Sequence, residues 1–94
     1  MDSKTSELFL FKLLRSNSNE SLGLGLSGSI DTAKTSVFVC AIYKDSIAEK
    51  HGLIKVGDEI LEINGNCVLG KAHSNVTPLI KTIKDLEMSI LILR

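Results

Sequence analysis

The sequence predicts an α+β fold, a small sandwich or partly open β-barrel of five to six strands with two short helices. Three observations support this. Apolar, β-prone runs recur at 7–14, 36–43, 57–65 and 87–94, each bounded by turn-forming or charged residues. Only two stretches have helical character, 45–52 and the region marked by Leu79, Ile80 and Ile83. The chain has 94 residues, 44% of them hydrophobic, which is enough for one core and leaves no room for a second.

The elements follow in order. Residues 7–14 form a first strand that stops at the turn-forming run Ser16-Asn17-Ser18-Asn19. A second strand at 22–27 is weakened by Gly25, which brings no side chain to pack. The third, 36–43, is rich in β-branched and aromatic residues. A short helix occupies 45–52. Asp45 or Ser46 caps its start, Lys50 and His51 suit its negative end, and Gly52 supplies a left-handed stop. Residues 57–65 make a strand that runs into an Asn64-Gly65 turn, and a brief strand follows at 67–69. Leu79, Ile80 and Ile83 mark a second helix that ends near Lys84. Residues 87–94 close the chain as a strand. Its Ile90-Leu91-Ile92-Leu93 is apolar throughout, as expected of a strand covered on both faces.

Composition excludes several functions. Lys and Arg total 11 and Asp and Glu total 11, well interspersed, so neither a nucleic-acid footprint nor an acidic tail stands out. The aromatic residues Phe9, Phe11, Phe38 and Tyr43 are too few for a base-stacking platform. No apolar run approaches the roughly 20 residues that cross a bilayer, and the N-terminus lacks a signal-peptide core, so a soluble, cytoplasmic chain is expected. Lysines from Lys4 to Lys84 are spread along the sequence and form no visible anionic-membrane patch. Cys40 and Cys67 are read as free thiols, one of them packed on a strand, because no C-x-x-C spacing suggests zinc or redox chemistry. No metal or cofactor is expected. The sequons at Asn19 and Asn75 carry no weight without a secretory signal.

The most informative local signal is Ser21-Leu22-Gly23-Leu24-Gly25-Leu26. Its glycines let the backbone turn tightly and present consecutive N–H groups, while its leucines set apolar walls beside them. A ligand charged at its very end and apolar just before it suits that pairing, and a peptide C-terminus is such a ligand. Two other readings compete. Gly23-Leu24-Gly25-Leu26-Ser27-Gly28 matches G-x-G-x-x-G, but a dinucleotide fingerprint needs a helix opening on it. Ser27-Gly28-Ser29-Ile30-Asp31-Thr32 is a poor helix start, and β-rich Ser36-Val37-Phe38-Val39 follows soon after. Alternatively, the glycines only punctuate a hairpin.

Three features together resemble a PDZ domain: Ser21-Leu22-Gly23-Leu24, the block from Gly52 to Gly65 ending in Gly-Asp-Glu-Ile-Leu-Glu-Ile-Asn-Gly, and His73 eight residues further on. The resemblance covers nearly the whole chain, from about Glu7 to Arg94, with each element in PDZ order. Residues 1–6 are then an N-terminal extension and 7–94 the domain. The likeness implies a PDZ-like fold and a non-enzymatic interaction module, cut from a scaffold protein, that binds the free C-terminus of partners by β-strand addition. By that likeness the turn at Leu22-Gly23-Leu24 donates backbone N–H groups to the ligand carboxylate, and the strand Leu24, Gly25, Leu26, Ser27 pairs with the ligand. Leu22, Leu24, Leu26 and Ile80 line the pocket for an apolar last side chain.

His73 falls at the first position of the groove helix, which the resemblance associates with ligands carrying Ser or Thr two residues before the end, since a ring nitrogen accepts the hydroxyl hydrogen. A surface histidine flanking a helix is the plainer alternative. Thr77 faces the groove one turn after His73. His51, at a helix end, is read as structural. Arg15 and Cys40 are weaker candidates, the first reaching the carboxylate through water and the second lying near upstream ligand residues. The implied partners are C-terminal peptides of membrane receptors, channels or signalling proteins. Nucleic acid is not among them, and contact with the inner face of the plasma membrane is only indirect, through those partners.

Several positions depart from the family pattern. Leu24 stands where the family often has Phe, leaving room for a bulkier terminal side chain. Gly25 is unusual in a strand that accepts a ligand. Pro78 leaves two starts open for the second helix. It begins near residues 72–75 with a distorted early turn, or Thr77-Pro78 is its N-cap and first residue, leaving His73 in a loop. The first is preferred because the resemblance places His73 on the helix. Two other functional classes are weighed. A Cys–His hydrolase would pair Cys40 or Cys67 with His51 or His73, but no nucleophile-elbow pattern surrounds either cysteine. A scaffold module would bind an internal hairpin or a lipid headgroup instead of a C-terminus.

Overall fold

Hydrophobic alternation and turn chemistry combine into a single antiparallel sheet flanked by two helices. The computed structural model describes residues 7–30, 35–68, 70–71 and 73–94. In chain order the elements are β1 (Leu8–Leu14), β2 (Leu24–Ile30), β3 (Thr35–Ile42), α1 (Ile47–His51), β4 (Glu59–Ile63), β5 (Asn66–Cys67), α2 (His73–Thr82) and β6 (Glu87–Leu93). The proposed N-terminal extension at 1–6 and the far end of the brief strand at Leu69 lie outside the described residues. The strand order is β1-β6-β4-β3-β2, with β5 paired to β4. Among the described residues β1 and β2 each pair on one edge only, so the sheet is open and the barrel is not closed.

Strand periodicity decides what is buried. On β1, Leu13 is buried and Phe9 and Phe11 half-buried, while Leu8, Leu10, Lys12 and Leu14 are exposed. On β6, Met88, Ile90 and Ile92 are fully buried, but Ser89, Leu91 and Leu93 are only half-buried. That corrects the expectation of a strand covered on both faces. Leu91 and Leu93 lie opposite Leu10 and Leu8 of β1, so sheet neighbours cover them only in part. The inward residues of β3, β4 and β6 meet Leu22, Ala48, Ile54, Val68 and Val76 in one core.

Local chemistry sets the ends of α1. The Ser46 hydroxyl accepts Glu49 N–H at 3.1 Å, and Glu49 Oε1 in return accepts Asp45 N–H at 2.8 Å. Gly52 takes the left-handed conformation with φ 81° and donates its N–H to Ala48 O. Asn64 and Gly65 have φ 49° and 79°, as a two-residue hairpin between β4 and β5 requires. The Asn64 side chain has a second use. Its Oδ1 accepts Ser89 N–H at 2.6 Å and its Nδ2 donates to Glu87 O at 3.3 Å, tying the hairpin to β6.

Arg94 ties the chain after β6 to the turn before β4: its Nε and NH2 donate to the two Asp58 carboxylate oxygens at 3.0 and 2.9 Å. The same guanidinium reaches Leu53 O at 2.8 Å and lies over the Phe9 ring at 4.7 Å. His51 is half-buried and packs edge-on to Phe11, with ring centroids 5.4 Å apart. It also stands in the last turn of α1, the helix-end position read from the sequence. Cys40 and Cys67 are free, and both are exposed, so neither is packed into a strand interior.

Candidate functional site

The backbone at Leu22-Gly23-Leu24 is turned by two inward carbonyls. Leu22 O accepts Ala48 N–H at 3.1 Å from α1, and Gly23 O accepts Tyr43 N–H at 2.8 Å from the end of β3. In a trans peptide the N–H points opposite to the C=O of the same unit. The N–H groups of Gly23 and Leu24 therefore face away from α1 and β3. Gly23 is required there twice over: its φ is 84°, and a Cβ on it would lie 2.0 Å from Ser46 Cβ. The N-cap serine of α1 thus sits directly against the turn.

From this turn β2 runs along the edge of the sheet with β3 on one side and α2 beside the other. Between β2 and α2 lies a groove of about 440 Å³. Leu22, Gly23, Leu24 and Leu26 form one wall, and Thr77 and Ile80 the other. Leu22 is buried, Leu24, Leu26 and Ile80 half-buried, and Thr77 exposed at the rim.

Gly25 faces the other way. A Cβ there would meet Ala41 Cβ at 3.0 Å, Tyr43 Oη at 3.2 Å and Cys40 Sγ at 3.5 Å, next to a break in the β2–β3 register between Gly25 and Leu26. Close approach of β3 at this bulge accounts for a glycine that the strand pattern alone made unusual. Ser27 continues β2 without lining the groove, and Cys40 lies on β3 behind Gly25 rather than in it.

α2 runs from His73 to Thr82 with Pro78 inside it, so the chain adopts the earlier of the two starts. His73 is the first helical residue; its side chain lies outside the described set. Pro78 offers no N–H to the carbonyl four residues back, at Ser74.

The end of the groove beside the turn is polar and was not legible from the motif. It is formed by Ser18, Asn19, Glu20 and Ser21 from the loop after β1 and by Lys81 and Lys84 from the end of α2. Lys81 and Lys84 stand four residues after Thr77 and Ile80, the spacing that repeats one helix face, so periodicity could have found them. The Glu20 carboxyl is held below the usual carboxylate range, chiefly because its Oε1 accepts Ser16 N–H at 2.6 Å and the Ser16 hydroxyl at 2.7 Å.

Arg15 also borders this end, only 4% exposed. Its guanidinium donates to Ser18 O at 3.1 Å, Ile83 O at 2.9 Å and Asp85 O from both Nε, at 3.1 Å, and NH2. Four of its five N–H donors are thus occupied by carbonyls. The charged side chains lining this end are Arg15, Lys81 and Lys84 against one carboxylate, Glu20, which leaves it net positive; among the described residues the one ion pair, Arg94 with Asp58, lies elsewhere. No group of His, Cys, Asp and Glu side chains among the described residues could hold a metal ion. No described helix is long and apolar enough to cross a membrane.

Comparison with known proteins converges on one family. The family model described as PDZ domain matches residues 10–93. Multiple PDZ domain protein of Homo sapiens is 39% identical over 77 residues, 82% of this chain and 4% of that protein. InaD-like protein of Rattus norvegicus is 44% identical over 61 residues, 65% of this chain and 3% of that one. The chain therefore spans only 3–4% of the length of these curated relatives. Among solved structures, MUPP1 PDZ4 superposes with TM-score 0.81 at 22% identity, covering 98% of this chain and 79% of the other. The N-terminal PDZ domain of InaD, solved in complex with a NorpA C-terminal peptide, superposes with TM-score 0.77 at 28% identity, covering 95% and 98%.

Proposed function

The chain belongs to the PDZ domain family, and from that premise we propose that its groove captures the free C-terminus of partner proteins by adding the ligand as a strand on β2. One observation carries the proposal: the open edge of β2, the apolar walls and the outward N–H groups of the Gly23 turn converge on one cavity. An added strand finds main-chain partners along β2. Its last side chain would bury apolar surface against Leu22, Leu24, Leu26 and Ile80, stabilising the complex by about 25 cal/mol per Å². Its carboxylate would meet backbone N–H donors, in bonds stronger than those to a neutral acceptor. The positive end made by Arg15, Lys81 and Lys84 favours an anionic terminus and raises its encounter rate. The InaD domain seen with a C-terminal peptide supports the same mode here.

The finer preference is for Ser or Thr two residues before the end and an apolar last residue. It rests on His73 as the first residue of α2 and on the leucine-lined wall. The partner class we infer is C-terminal peptides of membrane receptors, channels or signalling proteins.

Fluorescence polarisation with peptides ending in Ser/Thr-x-Val, Leu or Ile, each as free acid and as C-terminal amide, tests the proposal. The amide is expected to bind at least about tenfold more weakly, since a charge-assisted bond contributes roughly 1.5–3 kcal/mol. Equal binding would mean that no carboxylate is recognised. His73→Ala is expected to weaken Ser/Thr ligands selectively, and an unchanged preference would remove His73 from that role.

A further inference from the structure

The turn's own donors lead one step further, resting on the reading of the groove as a carboxylate site. The Gly23 N–H is one of the two that the inward carbonyls of Leu22 and Gly23 direct away from the core. Within the chain it already has an acceptor, the Ser21 hydroxyl at 3.1 Å. Ser21 is exposed and lines the same cavity. A ligand oxygen approaching this N–H competes with the hydroxyl oxygen that it already meets.

We propose that Ser21 is an affinity-setting gate, an internal stand-in that occupies the Gly23 donor until a terminal carboxylate displaces it. The exchange runs in a definite direction. Gly23 trades a neutral hydroxyl acceptor for an ionised one, and hydrogen bonds to an ionised acceptor are about twice as strong. The carboxylate therefore wins, but its net gain is reduced by the bond it breaks. The released hydroxyl rotates to water, since Ser21 is exposed. Among the described residues its charged neighbours are engaged elsewhere: Glu20 by Ser16, and Arg15 by Ser18, Ile83 and Asp85.

Removing the hydroxyl should therefore tighten binding, whereas a merely structural serine would loosen it. Ser21→Ala is expected to bind a free-acid Ser/Thr-x-Val peptide about three- to tenfold more tightly than the unsubstituted protein, the range set by the loss of one neutral hydrogen bond. Ser21→Thr, which keeps a hydroxyl in reach of Gly23, should bind as the unsubstituted protein does. Without peptide, the Gly23 amide should exchange its hydrogen faster in Ser21→Ala than in Ser21→Thr, and the difference should vanish when peptide is bound. Should Ser21→Ala fold poorly, Ser21→Gly carries the same expectation.

Unchanged or weaker binding by Ser21→Ala, with Ser21→Thr like the unsubstituted protein, overturns the gate. Equal Gly23 exchange in the two free variants does the same. The amide-capped peptide separates this failure from that of the parent reading. If the unsubstituted protein binds acid and amide alike, carboxylate recognition fails and the gate with it. If it prefers the acid but Ser21→Ala shows no gain, only the gate is wrong.

Discussion

Arg15 is a buried cation held by carbonyls rather than by a carboxylate. Its fork joins Ser18 in the loop after β1 to Ile83 and Asp85 in the segment between α2 and β6, so one side chain sets the spacing of the two segments that meet at the polar end of the groove. From the sequence Arg15 was a ligand-facing candidate, because a basic residue before a glycine turn carries no sign of which acceptors the fold will bring to it. Replacing it with Met keeps the apolar stem and leaves those partly buried carbonyls without a donor, at about 1 kcal/mol each. A fall in melting temperature of about 10 °C or more is expected by calorimetry. Arg15→Lys should restore little of it, since an ammonium cannot span three carbonyls that a planar fork reaches. Gly25 makes the same point about legibility. Its meaning lay in Ala41 and Tyr43, which come within 3.2 Å of its missing Cβ and which no local pattern connects to it.

At the scale of the element, α1 was readable almost to the residue, because Ser46, Lys50, His51 and Gly52 act on their own helix. α2 was readable in its apolar face but ambiguous in its start. Thr77-Pro78 is a good helix opening, yet the helix begins at His73, because burying Val76 in the core outweighs the local signal. Helix stability in proteins comes mostly from such packing rather than from propensity. The cost of Pro78 remains in the structure as a missing N–H···O bond. Pro78→Ala is expected to raise stability by about 1–2 kcal/mol, the helix-interior penalty of proline reduced by the unfolded-chain entropy that proline removes. A higher urea midpoint with an unchanged slope would register it.

Across the whole molecule, Asp58 and Arg94 join the turn before β4 to the last residue of the chain. Asp58 is only 2% exposed. Burial raises its carboxyl, but the Arg94 guanidinium, the Lys55 N–H at 2.9 Å and the nearby positive charges outweigh that, and its pKa lies below the ordinary 3.8. The sign follows. A carboxyl whose folded pKa is depressed adds stability that is complete above the unfolded value and is lost as pH falls through the folded one. Acid unfolding should therefore steepen below about pH 4, and Asp58→Asn should flatten that limb while lowering stability at pH 7 by about 2 kcal/mol. Circular dichroism across pH 2–7 measures both.

The sequence by itself determined the order and type of nearly every element, the Gly23 turn and the apolar wall of the groove. Each of these depends on interactions within a few residues or on a period of 2 or 3.6 along the chain. Tertiary structure alone decided that β1 and β2 are the open edges of the sheet, and that the outer face of β6 is only half-covered. It also decided that Lys81, Lys84 and the 16–20 loop meet at one end of the groove, and that Arg15 is a brace. Those outcomes depend on which distant segments share an edge, a bulge or a carbonyl, and that information resides in the packing of the sheet rather than in any stretch of the chain.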